Sequence, residues 1–339
     1  MKPLVLVAPE PRELGQIFTP AALATLRDRY RLHEVDAVAV ASLPREMLAE
    51  ARYILGQPPL DADAIAAMTS LRAILNVESN LLQNMPYAPL FERGIHVLTT
   101  GQVFAQPVAE IGLGFALALA RQIVDADLAF REGREAWGLD GTRMSRLLMG
   151  SDVGLVGYGD LGRALRRLLT PFRTRLRVFD PWLPDAVIAE AGAEPASLDT
   201  VLSQSDFIFV VAAVTSENEG FLGTAAFARM RPGAAFILLS RAGVVDFDGL
   251  IAAVAAGRIV AASDVYPEEP LPRDHPVRSL PGFLHSAHRA GALSAALTRM
   301  GDMVLDDMAL MDRGLPPVRL KRAERETVAR MRSKPVEKT

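Results

Sequence analysis

Three side chains in the second half of this 339-residue chain combine reactivity with placement: Arg241, Glu269 and His288 each lie just beyond a short apolar run. Arg241 follows AAFILLS, Glu269 sits in SDVYPEEPL, and His288 sits in LHSAHRAG. An imidazole titrates near neutrality and suits proton transfer in a carbinol–carbonyl interconversion. A neighbouring carboxylate favours the imidazolium and fixes the ring, which is the role expected of Glu269. A guanidinium offers a planar fork for a substrate carboxylate. Taken alone, Arg241 also reads as an exposed arginine in a turn. His33, His96, His275 and His285 lie on or beside predicted strands or in a proline-flanked loop and read as structural, with His285 close enough to rival His288.

Such an interconversion needs a hydride carrier, and VGLVGYGDLG (153–162) is built for one. An apolar strand runs into Gly157, Gly159 and Gly162 and then into a helical pattern. Gly157 permits the tight turn, Gly159 lets the backbone approach a pyrophosphate, and Gly162 lets the helix pack close to the strand. The helix N-terminus supplies free N–H groups and a positive dipole end, so the loop Gly157, Tyr158, Gly159, Asp160, Leu161 and Gly162 is expected to hold a dinucleotide. Further on, LRVF ends in Asp180, near where such a unit places its ribose-binding carboxylate. Asp180 followed by Pro181, Trp182 and Leu183 favours NAD. Arg173, Arg175 and Arg177 keep NADP as the alternative, and a turn-capping aspartate before Pro181 is the plain one.

These groups need a scaffold, and the chain alternates short strands with helical segments. Before residue 100 the strands are LVLVA, RYILG, LRAILNV and GIHVL; after residue 150 they are GLVG, LRVF, FIFVV, AAFILL, IVAASDV and GFLH. Alternation of this kind predicts two doubly wound parallel-sheet α/β domains. The expected layout is a substrate domain over 1–100, a Rossmann NAD-binding domain over 101–290 inserted into it, a helix over 291–318 returning to the first domain, and a polar tail over 319–339. The stretch 107–124 is apolar nearly all round, so it needs cover on every side. A subunit interface is the favoured cover, and Glu110, Arg121 and Gln122 argue against a bilayer span. The tail carries Arg319, Lys321, Arg322, Arg325, Arg330, Arg332, Lys334 and Lys338 and is expected to be solvated and frayed.

Composition narrows the partners. A formal charge of −3 offers no basic field for nucleic acid or an acidic membrane. The absence of cysteine excludes disulfides, thiolate metal sites and a cysteine nucleophile, and suits a cytoplasmic location. The start, MKPLVLVAPEPRE, has too short an apolar run for a secretory signal. No metal site is expected.

Beyond these patterns, the chain resembles the NAD-dependent 2-hydroxyacid dehydrogenases specific for D-isomers, a group containing phosphoglycerate, glycerate and D-lactate dehydrogenases. PVAEIGLGFALALAR resembles that family's dimer helix, GYGDLG its cofactor loop and FDP its ribose carboxylate. SRAGVVD, SDVYPEEPL and SAHRAG resemble its arginine, glutamate and histidine segments. The resemblance implies a Rossmann domain inserted in a flavodoxin-like substrate domain, a homodimer, and a small 2-hydroxy or 2-oxo acid as substrate. It implies that Arg241 binds and polarises the 2-oxo acid, Glu269 supports His288, His288 moves the proton, and Asp264 contacts the nicotinamide carboxamide. An NAD(H)-sensing regulatory protein of corepressor type is the alternative on the same resemblance. Oxidation of a formate- or phosphite-like oxyanion is a third.

Departures from the pattern concentrate around the substrate. Leu238 and Ala242 replace the family's asparagine and glycine around its arginine, and Ser286-Ala287 replaces Thr-Pro before its histidine. The loop NVESNLLQN stands where the family has a glycine-rich turn whose backbone N–H groups hold the substrate carboxylate. Glu78, Ser79, Asn80 and Leu81 are therefore expected to shape the pocket. Turned inward, Glu78 repels a second anionic group and accepts from substrate hydroxyls; turned outward, it is a surface charge.

Overall fold

Apolar runs such as LVLV and the AIL of AILN suit strands covered on both faces, and they form the centre of a parallel sheet. The computed structural model describes residues 2–78 and 80–331. Ser79 and the tail cations Arg332, Lys334 and Lys338 lie outside the described residues.

The first sheet contains β1 (Leu4–Val7), β2 (Arg31–Glu34), β3 (Ala51–Leu55), β4 (Ala73–Asn76), β5 (His96–Thr99) and β13 (Lys321–Arg322), in the order β13-β5-β4-β3-β1-β2. Five parallel strands in the order 2-1-3-4-5 make the flavodoxin-like arrangement expected from sequence. The unit comprises Met1–Phe104, Thr215–Glu217 and Ala292–Thr339. Its last long helix, Arg299–Asp312, returns to the sheet through Asp312. That carboxylate accepts from Tyr30 Oη at 2.6 Å, Tyr53 Oη at 2.8 Å and Arg52 Nε at 3.0 Å. Burial first, and then Asp312, push both phenols far above their usual range, so the hydroxyls stay protonated and donate.

The tail departs from expectation. It is ordered to Met331: β13 pairs antiparallel with β5, and the helix Arg325–Arg330 follows. The reason is the fully buried Asp307, whose carboxylate accepts from the backbone N–H groups of Val318, Arg319 and Leu320 at 2.8–3.1 Å. Arg325 then covers the ring of Phe91 at 5.2 Å.

The second sheet contains β6 (Asp152–Val156), β7 (Arg175–Phe179), β8 (Glu194–Pro195), β9 (Phe207–Val210), β10 (Ala235–Leu238), β11 (Val260–Ser263) and β12 (Phe283–His285). All are parallel, in the order β12-β11-β10-β9-β6-β7-β8, with the order reversing beside β6 as in a Rossmann sheet. This unit spans Ala105–Val214 and Asn218–Gly291. Its long helix, Ala105–Arg121, ends three residues earlier than the apolar pattern because Gln122 turns left-handed at φ 50°, and a second helix, Ile123–Arg131, begins.

With the preceding turn, Gly101–Arg121 has the length and composition to cross a membrane, contrary to expectation. Its packing explains the apolar sequence instead. Ala105, Ala109, Gly112, Ala116 and Ala120 are buried, and a Cβ on Gly112 would lie 2.6 Å from Leu239. Small residues thus bring the helix against β10 and the helix Asp160–Leu169. Beyond it, Leu128, Phe130, Trp137, Leu139, Met144 and Leu147 are at least half exposed, interspersed with charged residues.

Candidate active site

The glycine loop follows β6 at the point where strand order reverses. Gly157 has φ 97°, and a Cβ there would come within 2.8 Å of the Ala212 backbone. A Cβ on Gly162 would lie 2.8 Å from the Gly157 carbonyl. Gly159 is different: it caps the ten-residue helix Asp160–Leu169, and a Cβ there meets nothing within 4 Å. Two glycines thus serve packing, while the third leaves open space at a helix N-terminus, which fits a dinucleotide pyrophosphate. Asp160 and Leu161 are part-exposed at that end. Tyr158 is only 1% exposed, so its ring packs in the interior and only its backbone belongs to the loop.

Asp180 ends β7 and accepts from the N–H groups of Tyr158 at 2.7 Å and Trp182 at 2.9 Å. It fastens the glycine loop while remaining part-exposed to a ribose. Arg175 and Arg177 point away from it, forming ion pairs with Asp152 at the amino end of β6 at 3.2 and 2.9 Å.

Arg241, Glu269 and His288 all belong to the second unit, on segments leaving the carboxyl ends of β10, β11 and β12. His288 Nδ1 lies 2.5 Å from Glu269 Oε2, and Glu269 Oε1 accepts from Tyr266 N at 2.8 Å. Burial raises the Glu269 pKa, but the bonds from His288 and Tyr266 and the charges of His288 and Arg241 outweigh it and hold the carboxyl below its ordinary range. Arg241 donates from Nη1 to the Ser240 carbonyl at 2.7 Å. The rival His285 stacks on Phe283 at 4.9 Å and meets Tyr266 Oη at 3.0 Å, which gives it a packing role.

The histidine loop is strained. His288 has φ 47°, a conformation that costs a non-glycine residue about 1 kcal/mol or more. Asp264 compensates: its carbonyl accepts from His288 N at 2.7 Å, and its 2%-exposed carboxylate accepts from Arg289 N at 3.0 Å and Ala290 N at 3.1 Å. Sequence reading assigned Asp264 a nicotinamide contact. In the structure both of its carboxylate oxygens bind this loop, so its geometry is that of a residue positioning His288.

Because the folded-state pKa of Glu269 lies below its unfolded value, its stabilisation is complete above the unfolded value of about 4.3. It is lost as pH falls through the folded value. Wild type should therefore lose more thermal stability than Glu269→Gln as the pH drops from about 5 to about 3. Parallel melting curves across that range would remove the contact from the energetics.

In the first unit, the substrate-loop segment is held by a buried amide network. Asn76 accepts from Glu78 N and donates to Gln57 Oε1, both at 2.5 Å, and Gln57 Oε1 also accepts from Leu82 N at 3.2 Å. The Glu78 and Leu82 backbone donors, which a glycine-rich turn would offer a ligand, are thus engaged by side chains. Asn80 and Leu81 are part-exposed. Glu78 is 8% exposed and pairs with Arg12 Nε at 2.9 Å. Both sequence alternatives for Glu78 need this correction: it is turned inward, but not as a bare charge. Arg12 lies 66 residues away in sequence and carried no signal of its own.

Comparison with known proteins gives a consistent picture. The profile of the "D-isomer specific 2-hydroxyacid dehydrogenase, NAD binding domain" matches residues 113–290. A glyoxylate reductase from Korarchaeum cryptofilum is 29% identical over 94% of this chain and 95% of its own length. A D-3-phosphoglycerate dehydrogenase from Archaeoglobus fulgidus is 29% identical over 79% of this chain, which spans only 50% of that protein. Among solved structures, a phosphoglycerate oxidoreductase from Rhizobium etli is 67% identical, with a TM-score of 0.89 over 96% of this chain and 99% of that one.

Proposed function

Because the chain belongs to the D-isomer specific 2-hydroxyacid dehydrogenase family, and so is an NAD-dependent 2-hydroxyacid dehydrogenase, we propose that it interconverts a small D-2-hydroxy acid and its 2-oxo acid through Arg241, Glu269 and His288. The observation that carries this assignment is the 2.5 Å contact between His288 Nδ1 and Glu269 Oε2, with the charge of Arg241 acting on the same carboxylate.

NAD(H), when bound, supplies or accepts the hydride. The chain's residues do the rest. Glu269 fixes His288 through Nδ1, which directs Nε2 to the substrate oxygen at C2, where the imidazolium delivers a proton during reduction and the imidazole removes it during oxidation. Arg241 grips the substrate carboxylate and draws charge onto the carbonyl oxygen. Both interactions strengthen as negative charge develops there, so they favour the transition state over the ground state. Gly157, Gly159, Asp160, Leu161 and Gly162, with the Tyr158 backbone, hold the pyrophosphate, and Asp180 holds the ribose.

Glyoxylate, hydroxypyruvate, pyruvate and phosphohydroxypyruvate, screened by NADH absorbance, test the assignment. Steady NADH oxidation with at least one of them is expected, and none with any acid would refute it. The best acid should run at least about tenfold worse with NADPH, since Asp180 repels a 2′-phosphate. A preference for NADPH would reverse the cofactor choice.

The exposed apolar side chains of 123–149 extend an already apolar helix. Large apolar side chains exposed this close together in sequence are of the kind that a protein partner covers. We assign this patch to a cytoplasmic homodimer, so light scattering should give twice the chain mass of 36.6 kDa. Phe130→Glu should shift it towards the monomer, and an unchanged dimer in that variant would move the interface elsewhere.

A further inference from the structure

The first unit contains a cavity of about 270 Å³ at the amino edge of its sheet, the edge opposite the Glu78–Leu81 segment. Arg72 immediately precedes β4 and His96 begins β5. These strands pair in parallel with Ala73 opposite His96, so both side chains reach the cavity from the same end of adjacent strands. The facing wall is apolar: the end of the helix Arg299–Asp312 and the chain beyond it supply Met311, Leu315 and Pro316. Gly94 and Gly314 complete the lining in left-handed turns, at φ 67° and 77°, and a Cβ on either would meet nothing within 4 Å. Those turns therefore leave the cavity open.

The polar wall is uncommitted. Among the described residues, neither the Arg72 guanidinium nor the His96 imidazole has a hydrogen-bond or ion-pair partner. The nearby carboxylates of the helix are engaged elsewhere: Asp307 accepts from backbone N–H groups of the tail, and Asp312 from Tyr30, Tyr53 and Arg52. Arg322, opposite Leu98 on β13, donates to the Pro317 carbonyl at 2.9 Å. Burial first, and then the Arg322 charge, hold the His96 pKa below its ordinary value against the opposing Asp307. An anion is thus attracted to this wall, its carboxylate matching the guanidinium fork, whereas an ammonium group is repelled. The volume falls below the roughly 300–1,000 Å³ of pockets for drug-sized molecules, so the ligand is small. We propose that Arg72 and His96, facing Met311, Leu315 and Pro316, form a binding site for a small carboxylic acid that has an apolar body and no ammonium group. Arg241, Glu269 and His288 belong to the other unit, so this site takes a second molecule and does not rest on the dehydrogenase reading.

Phenylacetate is the probe, titrated into the full chain and followed by NMR of the histidine rings, with the His96 signal identified by its loss in His96→Gln. It should move that signal saturably, with a Kd in the millimolar range or tighter. The alcohol 2-phenylethanol, which lacks the charge, and acetate, which lacks the apolar body, should each bind at least about tenfold more weakly. Arg72→Met should weaken phenylacetate at least about tenfold. Leu315→Asp, at a position that is 47% exposed and so tolerant of substitution, places an opposing charge at the cavity and should do the same should Arg72→Met fail to fold. Because a bound carboxylate favours the imidazolium, phenylacetate should bind more tightly as the pH falls from about 8 to about 6. A His96 signal that phenylacetate leaves in place, equal binding of the alcohol or of acetate, a flat pH profile, or undiminished affinity in the variants would overturn the site. So would a shift confined to His288, which would place the probe at the reacting groups instead.

Discussion

His288→Ala is expected to lower turnover at least about a hundredfold, the scale of lost acid–base catalysis, while leaving NADH affinity unchanged. The separation follows from the local architecture. His288 hangs from the Asp264 carbonyl and the Glu269 side chain, whereas the cofactor loop hangs from Asp180 and the end of β6. Removing the imidazole touches none of the glycine-loop contacts. The φ of 47° adds a sharper version of the same experiment. His288→Gly also removes the imidazole but relieves a left-handed conformation, so it should melt higher than His288→Ala by an amount equivalent to about 1 kcal/mol. Stopped-flow reduction and NADH fluorescence titration check the first part, and paired melting curves check the second. Turnover near wild type in His288→Ala would move proton transfer to another residue, and the strain would then need a different explanation.

How far the chain could be read in advance depended on how local each signal was. Buried parallel strands such as FIFV and AFIL announce themselves because every position is apolar. The glycine spacing at 157, 159 and 162 is legible because backbone geometry leaves few substitutes. The edge strand β2, RLHE, escaped notice because half-exposed edges admit charge, and β13, Lys-Arg, because its strand character comes wholly from pairing with β5. The left-handed break at Gln122 has no glycine or proline to mark it. The Arg12–Glu78 pair and the Asp264 clamp on His288 are tertiary contacts, joined by the sheet and not by sequence proximity. Local pattern thus pointed to Glu269 beside His288, but not to contacts such as Arg12–Glu78 that only the sheet brings together.

The tail shows most clearly how a distant side chain decides local structure, and it leads to the second large effect. Asp307 is fully buried in the helix Arg299–Asp312, and its carboxylate terminates three consecutive backbone N–H groups, those of Val318, Arg319 and Leu320. These donors immediately precede β13, so they set where the chain turns to meet β5. Asp307→Ala would leave three N–H groups without their acceptor and an unfilled space beside the helix. Each unsatisfied buried donor costs about 1–3 kcal/mol, so a total loss of about 3–5 kcal/mol is expected after partial hydration. Asp307→Asn keeps the volume and one acceptor oxygen, enough for two of the three N–H groups, but turns its amide N–H₂ on the third, so it should recover only part of that loss. Urea denaturation should register both variants as lower midpoints, and limited proteolysis should cleave first near residues 318–322. If both variants unfold with the wild type and the tail stays protected, the β13–β5 pairing and the Phe91–Arg325 contact hold it by themselves, and the buried carboxylate must be explained by its effect on the neighbouring His96 instead.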